Sequence, residues 1–105
     1  MELKNTFIHH VYFWLKNPDS SDDYAQLLAG LQKLSSVKSI HSFHIGKPAG
    51  TSREVIDTSY ALSWLLTFAS GADQESYQVD PDHLLFVKEC SHLWSRVVVY
   101  DSINA

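Results

Sequence analysis

The chain has little cysteine, proline, glycine or positive charge, and each shortage removes a class of answers. A single cysteine, Cys90, rules out an intrachain disulfide, so the fold must rest on its core rather than on cross-links. Cys90 falls on the apolar side of an expected helix and reads as a small buried hydrophobe, not a nucleophile. Three prolines and four glycines are too few for a collagenous or low-complexity chain. Eight Lys and Arg against twelve Asp and Glu give a formal net charge of −4. Phosphate binding needs clustered cations and none cluster here, so nucleic acid is not an expected partner. There is no basic amphipathic helix to lie on a membrane. The apolar stretch Phe7 to Leu15 is too short to cross a bilayer as a helix. Met1 to Asn5 is polar and lacks the pattern of a signal peptide, which makes the cytoplasm the expected location.

What is present is 45% hydrophobic residues over 105 positions. That suits one globular domain, 1–105, burying roughly two-thirds of its unfolded surface. Phe7 to Leu15 is aromatic and β-branched with no helical polar face, so it reads as a strand. Ser21 to Ser35 follows helix-start signals and carries a stripe of Tyr24, Leu27, Leu28, Leu31 and Leu34. Val37 to Ile45 reads as a second strand, ended by a Gly46–Ser52 loop that continues to Asp57. Ser59 to Phe68 alternates as a third strand. Ala72 to Val79 reads as a short helix and Arg96 to Asp101 as a fourth strand.

Between the last two lies the most informative stretch, Tyr77 to Trp94. Asp80 is a good N-cap, since its carboxylate can accept from free first-turn N–H groups. Pro81 sits at N1, where its missing N–H costs nothing. His83 follows in the first turn, six residues after Tyr77. The helix is expected to carry its apolar side on through Phe86, Cys90, Leu93 and Trp94.

The order β-α-β-β-α-β is the ferredoxin-like arrangement: an α+β fold with an antiparallel sheet and helices on one face. The other face would carry Ile8, Tyr12, Trp14, Ala61 and Leu65. A wetted sheet face normally alternates to polar residues, and this one does not. An apolar face of that kind marks an interface. A homodimer through Tyr12, Trp14 and Leu65 is therefore expected.

Four segments together resemble the stress-responsive α/β-barrel (Dabb) domain family. His9 to Lys16 resembles its opening strand, and Phe43-His44-Ile45-Gly46 its second. Phe68-Ala69-Ser70 resembles the end of its third strand. Tyr77-Gln78-Val79-Asp80-Pro81-Asp82-His83 resembles its Tyr-x-x-His-Pro-x-His signature, with Asp80 in place of the first His. The resemblance implies a dimeric α+β barrel. Many members have no assigned activity, whereas a polyketide cyclase in the family uses the signature's Tyr and second His, which match Tyr77 and His83. Val11, Phe13, Trp64, Phe86 and Val99 would then line an apolar cavity, with His9 at its edge.

A small apolar or aromatic ligand in that cavity is the first functional expectation, with no cofactor. The alternative is a cofactor-free cyclase or isomerase with His83 as base and Tyr77 as partner, since an imidazole can remove a proton next to a carbonyl near neutral pH. A further alternative is a haem-degrading or quinol monooxygenase, enzymes built on similar dimeric barrels that this chain resembles at Asn5, Trp64 and His83. The six His have no compact ligand spacing, so no metal is expected.

Overall fold

The computed structural model describes all residues, 1–105. Alternation in the first apolar stretch becomes strand β1, Phe7–Leu15. Its residues His9, Val11, Phe13 and Leu15 are buried, while Ile8, His10, Tyr12 and Trp14 are half-buried on the opposite side. Helix α1, Ser21–Leu34, begins where the Ser20 side chain accepts from the Asp23 N–H at 3.1 Å, and Asp22 and Asp23 favour the positive end of its dipole. Its stripe buries Leu27, Leu31 and Leu34. Strands β2, Ser42–Gly46, and β3, Leu62–Phe68, follow. Helices α2, Gly71–Val79, and α3, Pro81–Cys90, then meet at Asp80. Strand β4, Trp94–Ser102, closes the chain. The sheet order is β2-β3-β1-β4, antiparallel throughout, which is the ferredoxin-like arrangement.

Three boundaries differ from the expected ones by three residues or more. Strand β2 starts at Ser42 rather than Val37, because Val37 and Ile40 make turn bonds to the carbonyls of Leu34 and Val37. Val37 is buried from that turn, so its apolar character serves packing rather than a ladder. Strand β3 starts at Leu62 rather than Ser59. Before it, Ser59 accepts from the Trp14 indole at 2.9 Å and Tyr60 packs edge-on to Tyr12, so both are held by side chains. The last helix ends at Cys90, a 3-10 turn spans Ser91–Leu93, and Trp94 opens a strand. Trp94 packs on Phe13 and Phe86, with ring centroids 5.1 and 5.8 Å away.

The helices lie on the sheet side that bears Val11, Phe13, Trp64 and Leu66, all in the core. Gly30 allows α1 and α3 to approach closely: a Cβ there would meet Cys90 Sγ at 2.7 Å. The cover stops short of β4. Val97 and Val99 pair with Phe13 and Val11 and so share their side of the sheet, yet they remain 37% and 45% exposed. That gap is where the cavity opens.

Candidate functional site

Asp80 ends one helix and starts the next. Its N–H bonds the Tyr77 carbonyl at 3.2 Å, and its Oδ1 accepts from the Asp82 N–H at 2.8 Å. Pro81 fills the first helical position, as the sequence suggests. The corner folds the last turn of α2 against the first turn of α3, so the Tyr77 and His83 rings lie 4.6 Å apart. His9, on β1, has its ring 6.0 Å from that of Tyr77.

These three polar side chains line one cavity of about 140 Å³, walled otherwise mainly by apolar groups. Tyr77, His83, His9, Val11, Phe13, Trp64, Phe86 and Val99, all named from the sequence, contribute to it. Gln78, Val87, Trp94 and Val97 also line it and were not named. Val97 lies two residues before Val99 and so on the same side of β4, a signal that could have found it; Trp94 was hidden by its assignment to a helix.

The hydrogen bonds fix the proton positions. His83 Nδ1 lies 3.1 Å from the Gln78 carbonyl. A carbonyl only accepts, so Nδ1 carries the proton and, in the neutral ring, Nε2 keeps its lone pair. Burial holds the His83 pKa below the ordinary imidazole value. The Gln78 carbonyl opposes this, nearby His9 adds to it, and Asp80 opposes it again. The neutral, basic form is thus the one present at pH 7. His9 Nδ1 stands 2.6 Å from Asp101 Oδ1 on β4 and donates to it. Asp101 was not anticipated; it faces His9 only through the β1–β4 register. Tyr77 accepts from the Trp64 indole N–H at 3.1 Å. Burial pushes its phenol up to about 12 despite that bond, so it stays protonated at neutral pH.

A larger recess of about 350 Å³ lies on the opposite sheet face, between Tyr12, Trp14, Tyr60 and Tyr100. It has Asp57 and Arg96 but no imidazole, and Arg96 already stacks over Trp14, 4.5 Å from its ring centroid. The smaller cavity holds the better acid–base chemistry. No group of three or more His, Cys, Asp or Glu stands together as a metal site, and no helix is long and apolar enough to cross a membrane.

A ferredoxin-like α+β domain with an imidazole-bearing cavity between sheet and helices is the class these features define. The profile of the stress responsive A/B barrel domain (Dabb) matches residues 7–104, and the chain belongs to that family. Similar solved structures agree on the fold. A Dabb family protein with a ferredoxin-like fold from Mesorhizobium loti superposes with a TM-score of 0.79 at 22% identity, over 95% of this chain and 97% of that one. A hydroxynitrile lyase from Passiflora edulis gives 0.80 at 23% identity, over 95% and 94%. A dimeric ferredoxin-like protein of unknown function from Thermobifida fusca gives 0.77 at 16% identity, over 94% and 91%. No curated protein matches the sequence significantly.

Proposed function

We propose that this Dabb protein is a homodimer whose subunits each bind a small, mainly apolar or aromatic molecule between the sheet and helices α2 and α3. One observation carries this reading: an apolar cavity of about 140 Å³ with His83, Tyr77 and His9 grouped in its wall. Mostly apolar walls with a few convergent polar groups are the usual form of a ligand site. The volume suits a ligand of about one ring and is too small for a porphyrin, which disfavours the haem reading. Titration of wild type with one-ring ketones, followed by the fluorescence of Trp64 and Trp94 in the cavity wall, tests it. Saturable quenching that weakens in His83→Ala is expected; no change in emission with any such ligand would sink the reading.

A second reading, a cofactor-free acid–base enzyme, is favoured by the fixed tautomer of His83. His83 Nε2 takes a proton from carbon next to a carbonyl, and the Tyr77 hydroxyl donates to the oxygen where charge develops. The electron pair of the broken C–H bond moves into the enolate, and His83 returns the proton. That one structural relative is a hydroxynitrile lyase is compatible with proton-transfer chemistry in this fold. Exchange of the acetophenone methyl hydrogens in D₂O is a direct assay. Wild type should exceed His83→Ala by roughly 10²- to 10⁴-fold; exchange at the buffer rate would leave binding alone.

The dimer places sheet against sheet through Tyr12, Trp14 and Leu65. Its support is the half-buried apolar face itself and the dimeric description of relatives of this fold. Sedimentation at micromolar concentration is the check, and a monomer there would remove it.

A further inference from the structure

The Tyr77 hydroxyl is buried, and its bond from the Trp64 indole is the one hydrogen bond it makes. An indole N–H can only donate, whereas a phenol can both donate and accept. Trp64 therefore occupies the accepting side of the hydroxyl and turns its proton away from itself. No protein atom takes that proton: His83 bonds the Gln78 carbonyl, His9 bonds Asp101, and neither bonds Tyr77. Trp64 is only 1% exposed and packs against Phe43, 5.6 Å between ring centroids, so its indole is held in place. Both Trp64 and Tyr77 line the cavity. A buried donor left without a partner is costly, and a ligand in the cavity is what can supply one.

We infer that Trp64 is a positioning residue that sets specificity: its indole N–H makes Tyr77 an obligate donor, so the cavity selects ligands bearing a hydrogen-bond acceptor such as a ketone or aldehyde oxygen. This rests on the reading of the cavity as a ligand site. An aliphatic or phenyl side chain at position 64 would leave the hydroxyl free to accept as well as donate, and the selection would weaken. Donation from Trp64 also polarises the phenol and strengthens its own O–H as a donor.

Acetophenone and α-methylstyrene make the test, because they share a shape and differ in C=O against C=CH₂. Their affinity ratio cancels changes in cavity volume, and comparison between variants cancels their different hydration. Ligand-observed NMR on wild type, Tyr77→Phe and Trp64→Phe gives the ratios. The ketone-to-alkene ratio should fall about tenfold in Tyr77→Phe, the scale of one net hydrogen bond. In Trp64→Phe it should fall roughly threefold, from lost polarisation and orientation. In wild type the Trp64 indole N–H resonance should move downfield with acetophenone and stay put with α-methylstyrene. An unchanged ratio in either variant overturns the inference while the binding site stands. If Trp64→Phe does not fold, an indole resonance unmoved by acetophenone overturns it equally. Binding of neither compound overturns this inference together with the ligand-site reading.

Discussion

The two faces of the sheet are built from the same strands and from similarly apolar residues, yet they meet different fates. On one side Val11, Phe13, Trp64 and Leu66 disappear under helices. On the other Ile8, Tyr12, Trp14 and Leu65 stay half-buried, partly covered by Ser59 and Tyr60. The difference teaches that apolar content alone does not say what covers a face. The helical side is completed within the chain, apart from the gap over Val97 and Val99. The outer side is left for a second copy in the proposed dimer.

The sharpest way to break that comparison is a charge on the outer face. Tyr12 lies between Val98 and Ser63 on neighbouring strands, with no cation directly opposite. Tyr12→Asp should lose several kcal/mol of association, the scale of an unpaired charge in an interface, and sediment as monomer. A dimer of wild-type strength would show that this face is not the contact.

Truncations on adjacent β3 residues then separate the two sides. Leu66 is fully buried and Leu65 half-buried. Leu66→Ala should cost about 2–5 kcal/mol through a cavity in the core. Leu65→Ala should cost less, and its effect should depend on protein concentration because it acts on association. Chemical denaturation at two concentrations measures both; equal, concentration-independent losses would erase the distinction.

A smaller effect belongs to the corner behind the cavity. Asp80→Ala removes the acceptor of the Asp82 N–H and should cost about 1 kcal/mol. An unchanged denaturation midpoint would mean that solvent caps the helix equally well.

The finest comparison is in pH. Burial, first among the causes, lowers the pKa of His83 on the helical side and of His10 on the outer side. The unfolded chain takes up these protons first as pH falls through about 6.5. Stability should therefore drop with acidification from there, levelling off below the depressed native values. Denaturation midpoints between about pH 5 and 8 read the slope. His83→Gln should flatten it at any concentration. His10→Gln should flatten it more at concentrations that favour dimers, where burial of His10 deepens. Identical slopes in both variants and wild type would count against this assignment.

Much of the fold was legible because local pattern and final environment agree. The stripe of α1, the alternation of β1 and the Asp80-Pro81 corner each describe their own surroundings. The strand starts at Val37 and Ser59 misled, since a turn or an edge-on aromatic pair can bury an apolar residue without a ladder. Helical spacing through Trp94 misled for a related reason: aromatic packing from a strand fills the same core. Around the cavity, residue types and the family resemblance picked out eight residues that do line it. Asp101 was invisible, because its bond to His9 joins residues 92 positions apart.

By itself, then, the sequence determined the element order, the sidedness of the strands and the capped corner that carries His83. These follow from periods of two and 3.6 and from side chains that bond their own neighbouring backbone. Tertiary structure decided that Nδ1 is the donating nitrogen of His83 and His9, that Trp64 holds the Tyr77 hydroxyl, and that β4 leaves the cavity open. Each of those depends on strand register and helix placement, which bring together groups that no local pattern relates.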